Sequence, residues 1–287
     1  MTLEVFESAL DAIDGLEHIE LQGEGEPLLN SHFFQMVKMA RDRFPKLKIS
    51  IITNGSCFQP GNVEQIIDLE IYKLYVSIES ADPEMFKSIR GGSLARVERG
   101  MRLLQAEKSK QGGGPAIGFA VTVLKETTAM LHSITQLYLS LGLDGGIMIQ
   151  PLQSMEVYRR FYDDRMMAQM LSAEDWQRFS KLRAGNRDFE LLQQQSSPRR
   201  AFYADLYSEG LAAGCPWLQK GLYVEQSGQA TPCCFVKEPQ KTGFGQLSKS
   251  NLGNILQRRS VMQQQLRSGV IPETCRGCAT AARVTRR

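Results

Sequence analysis

Five of the six cysteines in this 287-residue chain lie between positions 215 and 278, and the 214 residues before them hold only Cys57. Seventeen residues separate Cys215 from the pair Cys233 and Cys234, and Cys275-Arg276-Gly277-Cys278 closes the set. Thiolates are soft ligands. Four of them, drawn from a hairpin and a tight loop, suit a tetrahedral sulfur site holding zinc or an iron–sulfur cluster. Spacing alone does not choose between the two. Adjacent side chains diverge, so one of Cys233 and Cys234 ligates and the other packs. The expected ligands are Cys215, Cys233, Cys275 and Cys278, with Cys234 as the alternative to Cys233.

A second set of polar residues comprises Gly23-Glu24-Gly25-Glu26-Pro27, Thr53-Asn54-Gly55 and Ser77-Ile78-Glu79-Ser80, each at the end of an apolar run. In parallel α/β proteins the C-terminal ends of the strands form the rim where ligands bind. Glycines let a ligand approach the backbone closely, and the Glu26 carboxylate can accept a hydrogen bond from an amine.

These residues need a scaffold. Leu3, Phe6, Leu10 and Ile13 recur at helical spacing, so the chain opens on an amphipathic helix that Gly15 stops. Apolar runs then alternate with helical stretches. The expected order is a run at His18–Leu21, a helix at Phe33–Arg43, a strand at Lys48–Thr53 and a helix at Val63–Leu69. A strand at Lys73–Ile78, a helical region at Pro83–Lys108 broken at Gly91-Gly92, a strand at Ile117–Leu124, a helix at Met130–Leu141 and a strand at Gly146–Ile149 follow. Continuous apolar strands such as Ile147-Met148-Ile149 are those of a parallel sheet covered by helices. The fold class is therefore α/β, with the sheet open or curled into a barrel. The series begins on a helix, so the strand that should precede it is missing and its neighbour keeps an open edge.

After Pro151 the rhythm breaks. Tyr158–Met170 reads as helix and loop packing, Ser172–Leu182 as a helix with a capping-box start, and Gln193–Arg200 as a linker. Leu222–Glu225 and Ala230-Thr231 flank a Ser-Gly turn, a hairpin that returns Cys233 beside Cys215. Asn254 is expected to cap a helix running to about Ser268, ended by Gly269 and Pro272.

The net charge of +3 gives no electrostatic case for nucleic acid or an anionic membrane as partner. No apolar stretch reaches the roughly 18 residues of a membrane helix, and the first residues lack a signal-peptide pattern. A reducing cytoplasmic location is expected, where clustered cysteines favour metal over disulfide.

Gly-Glu-Gly-Glu-Pro-Leu-Leu, Ile-Thr-Asn-Gly and Val-Ser-Ile-Glu-Ser-Ala-Asp-Pro-Glu-Met-Phe-Lys-Ser-Ile-Arg-Gly-Gly follow one another as the landmarks of radical S-adenosylmethionine (radical SAM) enzymes do, and the chain resembles that family. The Cys-Pro-Trp, Pro-Cys-Cys, Leu-Gly-Asn-Ile and Cys-x-x-Cys series is similar to the family's SPASM or twitch modules. The resemblance implies a partial (β/α)6 TIM-type barrel without its first strand over residues 1–151, connecting helices and linker over 152–200, and a small iron–sulfur module of hairpin plus helix over 201–287. It implies an auxiliary 4Fe-4S cluster at the four cysteines. It also implies S-adenosyl-L-methionine contacted by Gly23, Gly25 and Glu26, with Asn54 and Ser77 nearby. A peptide or small-molecule substrate and an electron donor such as flavodoxin or ferredoxin complete the implied partners.

One departure bears on mechanism. The family holds its catalytic cluster through C-x-x-x-C-x-x-C after the first strand, and this chain has no such motif. Cys57 has no partner at ligand spacing and is expected to be an ordinary thiol. A shortened N-terminus accounts for both the missing strand and the missing triplet, and leaves no residue here assigned to catalysis. Two alternatives differ in kind. One is a catalytically inactive iron–sulfur or partner-binding descendant of the family. The other is a barrel hydrolase using Glu24, Glu26 and Glu79 with structural zinc, although His18, His32 and His132 lie outside the rim motifs.

Overall fold

A computed structural model describes residues 1–152, 161–188, 215–236, 238–278, 281–282 and 285. Helix α1 (Leu3–Asp11) starts at Thr2, whose hydroxyl accepts from Val5 N, and buries Phe6 and Leu10. Gly15, in the left-handed region, turns the chain into β1 (His18–Leu21). The series continues through α2 (Phe33–Arg43), β2 (Lys48–Thr53), α3 (Pro60–Asp68), β3 (Lys73–Ser77), α4 (Pro83–Arg90) and α5 (Leu94–Gln111). It closes with β4 (Ala116–Val123), α6 (Leu131–Ser140) and β5 (Gly146–Pro151).

The strands form one sheet in the order β1-β2-β3-β4-β5, every pair parallel. This is the partial α/β barrel expected, with β1 at an edge. Its two faces differ in chemistry. Ile49, Ile51, Leu74, Val76, Ile117, Phe119 and Val121 join the helices in the main core, with Ile19 and Leu21 packed against it. The alternate residues face the lumen, and their register carries a polar layer (Glu20, Ser50, Lys73) below an apolar one (Ile52, Tyr75, Ala120, Met148).

Packing across β4 and β5 requires a residue without a side chain. Gly145 N donates to Ile117 O at 2.6 Å, and a Cβ on Gly145 would stand 2.4 Å from the Ile117 carbonyl carbon. Only backbone surrounds it, so the clash has no flexible outlet. Gly145→Ala is expected to cost about 2–3 kcal/mol, read as a fall in the urea midpoint at unchanged slope.

Beyond the barrel, α7 (Asp164–Ala168) precedes α8 (Ala173–Ala184), which begins with the expected capping box between Ser172 and Asp175. The Gln193–Arg200 linker lies outside the described residues. The cysteine module comprises α9 (Pro216–Lys220), β6 (Tyr223–Val224), β7 (Gln229–Thr231), α10 (Pro239–Thr242), β8 (Gly245–Gln246) and α11 (Leu252–Arg267).

One expectation is extended here and one corrected. The expected hairpin is present as β6 and β7, and β8 adds to β7 to make a three-stranded antiparallel sheet. Asn251, not Asn254, occupies the cap of α11, and Asn254 inside the first turn donates to the Asn251 side chain at 3.2 Å. The module packs against the barrel through α1: Ala12 is buried in the module core, beside Ala9 and Ile13.

Candidate cofactor and cluster sites

The four C-terminal thiols come from three separate turns. Cys215 precedes α9, Cys233 follows β7, and Cys275 ends a 3-10 turn (Glu273–Cys275) from which the left-handed Gly277 leads to Cys278. Thr231 Oγ1 donates to the Cys233 carbonyl at 3.0 Å and holds the exit of β7. All six cysteines are free.

Burial pushes the Cys275 thiol up to about 12, with further upward pressure from Cys278 and Cys215. Burial raises Cys215 too, against amide donors at Leu218 and Trp217. It raises Cys233 well above the usual thiol range, with Cys234, Cys215 and Cys275 adding to the effect. Without a cation these groups stay protonated; a positively charged centre is what would make them thiolates. Buried sulfurs facing backbone N–H groups are the surroundings in which iron–sulfur clusters are tuned. Among the described residues no three His, Cys, Asp or Glu converge closely enough to share one metal ion.

The structure separates the two adjacent cysteines. Cys233 lies within electrostatic reach of Cys215 and Cys275. Cys234 instead senses Glu20 on β1, and burial is the main cause that takes its thiol to about 12. Cys57 packs against the barrel core, apart from the module's thiols, with its sulfur 3.6 Å from Ser56 Oγ.

At the rim, Glu26 ties two strand exits together. Its Oε1 accepts from Thr53 Oγ1 at 2.7 Å and Leu28 N at 3.2 Å, and its Oε2 accepts from Asn54 N at 2.6 Å. The Asn54 side chain caps Ser56 N at 2.8 Å. Ser77 ends β3 on the lumen side, half-buried. Glu79 is buried and receives Arg90 on both oxygens, Nε at 2.5 Å on Oε2 and Nη2 on Oε1. With Glu26 and Glu79 both engaged by their own chain, the carboxylates of the hydrolase reading are not poised as a metal or acid–base pair. Gly23 and Gly25 are exposed, neither has a positive φ, and a Cβ at Gly25 would meet nothing within 4 Å.

The lumen holds residues that sequence reading passed over as strand starts: His18, Glu20 and Lys73. His18 Nε2 lies 2.8 Å from Ser50 Oγ, and burial drops its imidazole to about 4. Lys73 is 1% exposed with its ammonium 4.6 Å from the Tyr75 ring centre. Burial raises the Glu20 carboxyl to about 8, against the downward pull of Lys73. The signal for them was the alternation of polar and apolar residues in His18-Ile19-Glu20-Leu21.

Comparison with known proteins agrees with this arrangement. The sequence profile of the radical SAM superfamily matches residues 1–137, and that of the SPASM iron–sulfur cluster-binding domain matches residues 215–279. A probable GTP 3',8-cyclase from Methanococcus aeolicus is 28% identical over 131 residues, 45% of this chain and 42% of the relative. The chain thus spans about two-fifths of that curated relative's length. The structure of native anSMEcpe with bound AdoMet and Kp18Cys peptide superposes with a TM-score of 0.68 at 16% identity, covering 92% of this chain and 75% of the other. Streptococcus suis SuiB bound to precursor peptide SuiA gives 0.57 at 12% identity, covering 84% and 53%. The chain thus carries a domain of the radical SAM superfamily over residues 1–137 and a SPASM iron–sulfur cluster-binding domain over residues 215–279.

Proposed function

We propose that this chain is the substrate- and auxiliary-cluster-bearing part of a radical SAM enzyme that modifies a peptide. The observation that carries the reading is the joint presence of four thiols within electrostatic reach of one another in the module, Cys275 buried and the other three half-buried, and an open glycine rim on the barrel. Cys215, Cys233, Cys275 and Cys278 would hold a 4Fe-4S cluster. Gly23 and Gly25 would admit the methionine part of S-adenosylmethionine, because neither φ nor packing requires glycine there. Glu26 fixes that loop, with Asn54 and Ser77 beside it. When bound and cleaved by one-electron reduction, S-adenosylmethionine would supply a radical able to take a hydrogen atom from the substrate. The peptide class is favoured because the peptide-bound neighbours cover both barrel and module, whereas the cyclase matches 45% of the chain. These 287 residues contain no C-x-x-x-C-x-x-C to hold a catalytic cluster, and a flavodoxin or ferredoxin would supply the electron. Among the described residues no helix is long and apolar enough to cross a membrane.

The test is anaerobic reconstitution of this chain and of a form extended upstream in frame. About four irons per chain are expected here and about eight in the extended form, with S-adenosylmethionine cleavage under reductant confined to the latter. A colourless, zinc-loaded protein would refute the cluster. No cleavage by the extended form would leave only iron–sulfur binding.

A further inference from the structure

Glu20 stands on the lumen wall one layer below the rim, paired in register with Ser50, itself paired with Lys73. Its Oε2 is shut off from water and has no hydrogen-bond partner among the described residues. An orphaned carboxyl oxygen in such a place is costly. Nothing in the fold recovers that cost, since Ile19 and Leu21 on either side pack into the main core and fix β1 without help from Glu20. On its far side the carboxyl is within electrostatic reach of Cys234, beside the cluster thiol Cys233. The group therefore lies between the cofactor rim and the cysteine module, with an unused acceptor.

We propose that Glu20 is a specificity-determining residue that receives a neutral hydrogen-bond donor, a carboxamide or hydroxyl, on the substrate side chain entering the lumen. The neighbouring residues select that chemistry. A carboxylate or phosphate on the substrate would bring no donor hydrogen to the orphaned Glu20 oxygen. A cation would meet Lys73, whose ammonium already occupies the lumen over Tyr75. A purely apolar side chain would leave the Glu20 oxygen orphaned, and a site built around a polar group rejects analogues that cannot pair with it. Above this layer Ile52, Tyr75, Ala120 and Met148 form an apolar collar suited to the stem of such a side chain. The inference rests on the lumen being the substrate chamber of the proposed function. Its test needs neither cluster nor turnover, so the two can fail separately.

Saturation-transfer NMR on the full chain would use the N-acetyl N-methylamides of asparagine, serine, leucine and lysine as probes. Transfer to the asparagine or serine side chain is expected at least about fivefold above the leucine and lysine probes, and whichever of the two leads identifies carboxamide or hydroxyl. Glu20→Leu should abolish the difference and Glu20→Gln, which keeps an acceptor oxygen, should retain it. In the unsubstituted chain the preferred probe should shift the Glu20 carboxyl carbon resonance, a readout independent of whether Glu20→Leu folds. Equal transfer to the leucine probe, unchanged binding in Glu20→Leu, or an unmoved Glu20 resonance would each overturn the assignment.

Discussion

Cys233→Ala is expected to remove nearly all cluster iron, while Cys234→Ala leaves the iron content and the absorbance near about 400 nm intact. The two residues are adjacent and equally free, so sequence spacing cannot separate them. Their surroundings do. Cys233 shares its electrostatic environment with Cys215 and Cys275, and Phe235 N faces its sulfur. Cys234 is instead within electrostatic reach of Glu20 on β1. A cluster bound at Cys215, Cys233, Cys275 and Cys278 loses one of four thiolates in Cys233→Ala, and a neutral methyl cannot replace it. Cys234→Ala removes one sulfur from a partly exposed position and should cost no more than about 1 kcal/mol. Iron and sulfide analysis of both variants after anaerobic reconstitution decides the matter. The reverse pattern, iron kept in Cys233→Ala and lost in Cys234→Ala, would mean that the turn after β7 presents the other sulfur to the cluster.

The parts of this chain that were legible in sequence are those where local chemistry and tertiary packing agree. Ile49-Ser50-Ile51-Ile52 must be a covered strand in any α/β context, and the structure makes it β2 with Ile49 and Ile51 fully buried. The Ser172 capping box is local by nature and appears as expected. Strand β8 was illegible because Gly245-Gln246 has no apolar pattern of its own. It pairs through backbone to Ala230 and Gln229, which only the tertiary fold brings near. The cap of α11 was misplaced by three residues because Asn251 and Asn254 are both good caps, and the side chain of neither bonds a backbone N–H at that end. Lys73 reads as the solvated start of a strand, yet the register with Ser50 turns it into the lumen, where it is 1% exposed. Glu20 was hidden for the same reason: a lumen-facing polar residue shows itself only when the neighbouring strands are in place.

Arg90→Met should destabilise the barrel by about 3 kcal/mol at neutral pH, although Arg90 touches neither proposed cofactor. Glu79 follows β3 with its side chain 1% exposed, and both of its oxygens receive the Arg90 guanidinium. Removing the arginine leaves a carboxylate buried without its partner, the circumstance in which the desolvation penalty is felt in full. Arg90 keeps 32% of its side chain in water, so the estimate belongs at the lower end of the 3–5 kcal/mol typical of a broken buried pair. An ordinary surface pair would cost less than about 1 kcal/mol, and urea unfolding distinguishes the two. The double variant Glu79→Met with Arg90→Met should recover most of the loss, because two apolar groups need no partner. The pair also has a positional consequence. It anchors the chain two residues beyond Ser77 to the end of α4, where the left-handed Gly91 terminates the helix. Weaker S-adenosylmethionine binding in Arg90→Met, with Cys57 and cluster iron unchanged, would show that the rim depends on this anchor. A double variant as unstable as the single one would mean instead that Glu79 is needed for its shape and not for its charge.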